Sequence, residues 1–185
     1  MPTHARERLL DSAEALFYRH GIQAMGIDRL LEDSGVGRAS FYRHFESKDA
    51  LVSAVLERRD AAWLAAFGDI LDACHNEPLA LFNAMAQRYG ENDFRGCAFI
   101  NAMVEAADRN SPWHRIATGH KQALIGRLAE SLRAAGHTDT EQQATRWLLL
   151  LDGAVVTAMR EGRAWPIHEA RRMAAQLLVR DADSN

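Results

Sequence analysis

The residue types best suited to nucleophilic or metal chemistry in this sequence are its two cysteines and eight histidines. Cys97 could act as a nucleophile with His114 or His120 as its base, but nothing in the sequence fixes that geometry. The sequence contains no nucleophile elbow, no phosphate-binding loop and no Cys/His spacing typical of zinc ligands. We therefore expect a protein that is not an enzyme, with no catalytic residues, no metal site and no cofactor.

Residues 38–48 form a second group of interest, because many of them carry basic or hydroxyl side chains that donate hydrogen bonds. It contains Arg38, Arg43, His44 and Lys48, against the single acidic residue Glu46. Guanidinium, imidazole and ammonium groups donate hydrogen bonds to phosphate oxygens, and arginine also pairs with guanine edges. Because the net charge of −3 gives no overall attraction to nucleic acid, any DNA site must come from this local concentration of basic residues.

Composition places the chain among globular proteins, with 48% hydrophobic and 25% charged residues. The first residues lack an apolar signal core, and the longest apolar stretch, from Trp147 to Met159, is interrupted by Asp152. We expect a cytoplasmic protein without a membrane segment. Cys74 and Cys97 are too few for a disulfide framework, and we expect both to be reduced.

Apolar residues recur every three or four positions, without strand-like alternation, which predicts an all-α fold of about nine helices. The first helix is predicted over about residues 4–20 and should end at Gly21, because glycine tolerates the left-handed cap conformation. A second, short helix starts at Ile27, and Ser34–Gly37 separates it from a third that holds Ala39. Two short helices joined by a glycine-containing turn indicate a helix-turn-helix.

The remaining chain predicts longer helices. One should begin at Ser47, a suitable N-cap, and others should hold residues 81–89, 97–107 and 113–132. Thr138–Glu141 fits a capping box that would open a helix running to Gly162, and Pro166 would open the last helix. We predict a DNA-binding domain over residues 1–50 and a ligand-binding and dimerisation domain over residues 51–185.

The stretch Gly35–Phe45, GVGRASFYRHF, followed by Glu46–Leu51, ESKDAL, closely resembles the recognition-helix signature of tetracycline-repressor (TetR) family regulators. The resemblance covers about residues 5–52, and the rest matches the family only in helix count and order. It implies a one-component transcription factor that binds a double-stranded DNA operator as a homodimer. It further implies a repressor that a small-molecule effector releases from the operator.

The resemblance also implies which residues contact DNA. Arg38 is the expected guanine contact, and Tyr42, His44 and Lys48 match positions that contact phosphate in the family. The full predicted set is Arg38, Ala39, Ser40, Tyr42, Arg43, His44 and Lys48.

Phe41 and Phe45 lie four positions apart, so one face of the third helix should anchor in the small core. Two glycines depart from the family pattern: Gly26 and Gly37 stand where members usually have Ser or Thr, which removes hydroxyls that cap a helix and touch phosphate.

The resemblance places an effector pocket in the second half of the chain. Apolar and aromatic side chains with a few polar groups suit such a pocket, and the predicted ligand-binding residues are Phe82, Met85, Tyr89, Cys97, Asn101, Glu105, Trp113, His114 and Trp147. Cys97 at a helix start would also suit a thiol-based redox sensor, because a helix N-terminus favours thiolate. Two further alternatives are a helical enzyme with Cys97 as nucleophile, for which no motif in the sequence provides support, and a helix-turn-helix that contacts proteins instead of DNA.

Trp147–Val156 is apolar around most of its circumference and therefore needs cover on two sides. A second copy of the chain would cover one of these sides, and Gly153 would allow the helices of the two copies to approach closely. We predict a homodimer built from the helices Thr140–Glu161 and Ile167–Val179. A helix buried wholly within one chain would explain the same apolar pattern.

Overall fold

The computed structural model describes residues 4–73, 77–89, 94–106 and 108–182, the last four of them by backbone only. Within these ranges the chain forms nine α-helices and no strand, which confirms the predicted all-α fold. Cys74, Ala107 and positions 90–93 of the predicted polar loop lie outside the described residues. The helices are α1 (Ala5–His20), α2 (Ile27–Ser34), α3 (Arg38–His44), α4 (Lys48–Ala73), α5 (Ala80–Arg88), α6 (Ala98–Ala106), α7 (Pro112–Ala134), α8 (Thr140–Glu161) and α9 (Trp165–Ala182).

Most helix ends follow the local signals in the sequence. Gly21 ends α1 with φ 90° and Gly162 ends α8 with φ 64°, a region that residues with a Cβ rarely adopt. Ser47 caps α4, since its Oγ accepts a hydrogen bond from the backbone N–H of Ala50 at 3.1 Å. Ser111 caps α7 in the same way, with the N–H of His114 at 3.1 Å.

The predicted capping box at Thr138–Glu141 is wrong. The residue before α8 is Asp139, which has φ 49° and ψ 35° and makes no side-chain cap hydrogen bond. A capping box needs an extended residue at this position, and the left-handed backbone of Asp139 directs the chain differently. The hydroxyl of Thr140 instead accepts a hydrogen bond from the Arg133 guanidinium at 3.3 Å.

The chain divides into two compact units. The first comprises Met1–Ala61 and Ala98–Thr118, and the second comprises Ala62–Cys97 and Gly119–Asn185. The first unit thus contains α1, α2, α3, the first part of α4, α6 and the start of α7. A functional boundary at residue 50 stays a prediction.

The core of the first unit fixes α3 against α1 and α4. Its buried side chains include Leu9, Leu10, Leu16, Phe17, Leu30, Val36, Phe41, Phe45, Leu51 and Val52. Arg58 of α4 braces α1 from outside this core, with hydrogen bonds of 2.7 Å to both Asp11 and Glu14. Burial alone would lower the pKa of Arg58, but these carboxylates outweigh it and raise the pKa above its ordinary value. Arg58 therefore stays charged, and α1 is held against α4.

The second unit is built around α8. Trp147 and Leu151 are buried on one side of this helix, whereas Leu149 and Val156 are 69% and 47% exposed on the other. The helix therefore presents apolar side chains both inward and outward, as the sequence pattern predicts. No helix among the described residues is long and apolar enough to cross a membrane.

Candidate nucleic-acid interface

The turn between α2 and α3 sets the direction of α3. Gly35 adopts φ 61°, a left-handed conformation that closes α2, and the N–H of Val36 donates to Leu31 O at 3.3 Å. Val36 is 4% exposed and so ties the turn to the core. α3 therefore leaves the turn at a defined angle to α2, as a helix-turn-helix requires.

The two faces of α3 differ sharply. Phe41 is fully buried and Phe45 nearly so, with ring centroids 6.1 Å apart, which confirms that they anchor the helix. The opposite face is polar. It exposes Arg38, Ala39, Tyr42, Arg43 and His44, with Ser40 half-buried beside them.

Arg38 has a partner that the sequence did not indicate. Its guanidinium is hydrogen bonded to the carboxylate of Asp28 on α2, and both side chains are more than half exposed. An exposed ion pair of this kind contributes about 1 kcal/mol or less, so DNA can compete for Arg38 at little cost. The partners stand ten positions apart, and only the turn between α2 and α3 brings them together.

Lys48 is half-buried at the first position of α4, next to the Ser47 cap. The N-terminus of a helix carries partial positive charge and unpaired N–H groups, so it attracts phosphate. Ser47, Lys48 and the first turn of α4 thus bring together groups of the kind that bind phosphate, and the role of Lys48 stays a prediction.

The N-termini of α2 and α3 lack side-chain caps, as the two glycine departures predict. Gly26 and Gly37 both have extended backbones and make no side-chain cap hydrogen bond. A Cβ at either position would have no atom within 4 Å, so a larger residue fits.

Gly37→Ser is expected to stabilise α3 by a few tenths of a kcal/mol and to tighten binding to all DNA sequences to a similar degree. The serine hydroxyl can cap the helix and donate to a phosphate, which carries no sequence information. Thermal unfolding and titration with cognate and scrambled duplexes measure both effects. Gly37→Ala is the matched control because it adds the Cβ without the hydroxyl. Equal DNA affinity of the two variants would contradict the phosphate contact.

Four of the predicted ligand-binding residues lie in the first unit. The Glu105 carboxylate accepts a hydrogen bond from the backbone N–H of Gln23 at 2.7 Å, so it ties α6 to the loop after α1. Trp113 is buried, with its indole N–H 3.4 Å from Asp49 O. Asn101 and His114 are half-buried. Asn101 and Glu105 line a narrow cleft of about 30 Å³ with Arg59, which has room for water.

The other five lie in the second unit. Phe82 and Trp147 are brought together in its core, with ring centroids 5.5 Å apart, and Met85 is buried in the same cluster. Tyr89 and Cys97 are half-buried and pack against that cluster. Whether any of the nine residues binds a ligand stays a prediction. Among the described residues, no group of three His, Cys, Asp or Glu side chains could hold a metal ion.

Comparison with known proteins agrees with this geometry. Residues 9–55 match the family described as bacterial regulatory proteins, tetR family. A crystal structure of a TetR-family transcriptional regulator from Streptomyces coelicolor is 30% identical, covers 93% of this chain and 96% of that chain, and superposes with a TM-score of 0.77. The reduced form of Escherichia coli NemR is 26% identical over 92% of this chain and 95% of that chain, with a TM-score of 0.81.

In sequence, the HTH-type transcriptional repressor NemR of Escherichia coli K12 is 26% identical over 132 residues. The aligned part is 69% of this chain and 66% of that protein, just under two thirds of its length. The Streptomyces regulator matches over nearly the whole of both chains, and the family match includes α2, the turn and α3. The chain belongs to the TetR family of transcriptional regulators.

Proposed function

We propose that this protein is a homodimeric repressor that binds a DNA operator through α3 and leaves it when a small-molecule effector binds the second unit. The observation that carries the proposal is the two-faced α3, whose aromatic side is locked in the core while its arginine, tyrosine and histidine side faces solvent. A helix held in this way can enter a major groove without rearranging.

Within that groove the side chains would have different roles. Arg38 at the N-terminal end of α3 would contact a base edge, because its planar guanidinium matches the two acceptors of guanine. Ser40 would add a less specific contact, and Ala39 would allow close approach. Tyr42, Arg43, His44 and Lys48 would contact phosphates and fix the register of the helix.

Dimerisation is supported by the outer face of α8 and α9. Leu149 of α8 is 69% exposed, and Trp165 and Met173 of α9 are 51% and 48% exposed. These three side chains and Gly153 line a shallow cleft of about 300 Å³. An apolar face of this kind on a surface helix marks an interaction site, and a second copy packed around Gly153 would cover it.

The operator of such a dimer should be partly palindromic, with half-sites about one helical turn, ~34 Å, apart or somewhat more, because paired recognition helices mirror the symmetry of the protein. Selection of bound fragments from a random-sequence duplex library, followed by footprinting, tests this. We expect two protected segments related by a dyad. A single asymmetric footprint would contradict the dimeric arrangement.

A further inference from the structure

α8 buries three polar atoms that have no hydrogen-bond partner among the described residues. They are Oε1 and Nε2 of Gln143 and Nε1 of Trp147. Both side chains are 0% exposed. Buried polar groups in folded proteins are nearly always paired, because an unpaired one loses its hydrogen bonds to water and gains nothing in return.

The three atoms lie on the same side of one helix. Gln143 and Trp147 are four positions apart on α8, so their side chains are neighbours. The Trp147 ring meets Phe82 of α5 edge to face, within a cluster of apolar side chains that also holds Met85 and Leu128. Trp147 Nε1 is therefore an orphaned polar atom within an apolar cluster, and the orphaned amide of Gln143 lies one turn away on the same helix.

The third buried polar side chain of α8, that of Thr140, does have a hydrogen-bond partner. Thr140, one turn before Gln143, is also buried, and its hydroxyl accepts a hydrogen bond from Arg133 at 3.3 Å. Of the three polar side chains on this face, one is thus paired, and the other two have polar atoms that no described residue pairs.

No acidic or basic side chain other than His120 is fully buried in the second unit, as far as the structure describes it. The partly buried Lys121 and Asp152 neutralise each other, with Nζ 2.5 Å from Oδ1. Lys121 and Asp152 would therefore give a charged group beside Gln143 no counter-charge, so an anion would need Arg171, whose Nε is also buried without a partner among the described residues, to offset its lost hydration. A neutral group that accepts and donates hydrogen bonds would instead satisfy all three atoms.

We propose that Gln143 and Trp147 form the polar end of the effector site. They would bind an uncharged group of the effector that has a hydrogen-bond acceptor beside a donor, such as an amide, and the rest of the effector would be flat and apolar. The inference rests on the proposed effector function and names the chemical class of the effector. Trp147 Nε1–H and Gln143 Nε2–H would donate to its oxygen, and Gln143 Oε1 would accept its N–H. Phe82 and Met85 would contact its apolar body.

A cleft on the surface of the second unit lies against the same apolar cluster. α4 and α5 enclose a cleft of about 320 Å³, lined by Trp63, Phe67 and Met85 among others. Its volume lies within the range of small-molecule pockets. Phe67 and Met85 belong to the same apolar cluster as Phe82 and Trp147, so the cleft borders that cluster, and a ligand entering there would have to displace side chains of the cluster to reach Trp147.

Four probes of one shape test the chemical class. Benzamide carries the neutral acceptor and donor, benzoate and benzylammonium carry a charge, and toluene carries neither group. Binding is followed through the Trp147 indole N–H resonance, assigned with Trp147→Phe, and through the thermal unfolding midpoint. We expect benzamide to shift that resonance and raise the midpoint with concentration, and to bind at least about tenfold more tightly than each of the other three.

Gln143→Met removes the polar atoms while keeping the volume and length of the side chain. We expect this variant to unfold at the same or a higher temperature without ligand, because an unpaired buried group is lost, and to lose the benzamide shift. Gln142→Met is the matched control, since Gln142 is the neighbouring exposed residue on α8 and its variant should respond as the unchanged protein does.

Three results would overturn the inference. Benzoate binding as tightly as benzamide would show that an anion is accepted, with Arg171 as the candidate counter-charge because its Nε is also buried without a partner among the described residues. An unchanged benzamide response in Gln143→Met would place the ligand elsewhere. No response to any probe would mean that the orphaned atoms bind only water.

Operator binding by the ligand-free protein, measured in parallel, tests the proposed function separately, because it does not depend on Gln143.

Discussion

Gly153→Arg is expected to give a folded monomer that has lost about 100-fold to 10,000-fold in operator affinity. Gly153 is exposed on α8, and a side chain there meets no atom within 4 Å inside the chain, so the fold should tolerate the arginine. In the proposed dimer the same arginine would bury a charge without a partner between two copies. A monomer binds one half-site at a time and loses the effective concentration that links the two recognition helices.

Light scattering at micromolar concentration measures the mass, and titration with a selected operator measures the affinity. Gly126→Arg is the matched control, because Gly126 is exposed on α7, outside the α8–α9 face, and also has no atom within 4 Å of its Cβ position. We expect the control to remain dimeric. If Gly153→Arg is also dimeric, the proposed interface is wrong.

Arg38→Ala is expected to lose about 1–3 kcal/mol of binding free energy on the selected operator, with a much smaller loss on scrambled DNA. A guanidinium that pairs with a base edge distinguishes sequences, so its removal lowers specificity together with affinity. Stability should hardly change, since the ion pair between Arg38 and the exposed Asp28 has a small energy. Titrations of cognate and scrambled duplexes give the two affinities, and thermal unfolding gives the stability.

Lys48→Ala is the matched comparison for Arg38→Ala. A lysine that contacts phosphate releases counterions whatever the sequence, so its loss should weaken cognate and scrambled DNA equally. The slope of log affinity against log salt should become shallower by about one unit per half-site. Tyr42→Phe should have an intermediate effect, because it loses the hydroxyl and keeps the ring.

The helices and the exposed polar face of α3 were predictable because they depend on local signals. Gly21 and Gly35 end helices because glycine readily adopts a positive φ. Ser47 caps α4 by accepting a hydrogen bond from the N–H of Ala50, three positions later. The four-residue spacing of Phe41 and Phe45 defines the buried side of α3. Each of these requires only a few neighbouring residues. The signature of the TetR family falls in the same segment, so the family was also predictable from the sequence.

Features that depend on distant residues were not predictable. The Asp28–Arg38 pair exists only once the turn has folded, and Glu105 meets Gln23 from 82 positions away. The pattern at Thr138–Glu141 predicted a capping box, but the backbone at Asp139 takes a left-handed conformation instead. Gln143 carried no signal at all, because a glutamine among polar neighbours is typical of a surface position until its burial is known.

That α3 reads base sequence is tested most directly by binding the unchanged protein and Arg38→Ala to a set of duplexes carrying every single substitution of the selected operator. We expect the unchanged protein to show symmetric preferences in the two half-sites. Arg38→Ala should lose its preference at one base pair in each half-site and retain the others. If the two proteins give the same profile, Arg38 does not contact a base, and α3 is not in the groove as proposed.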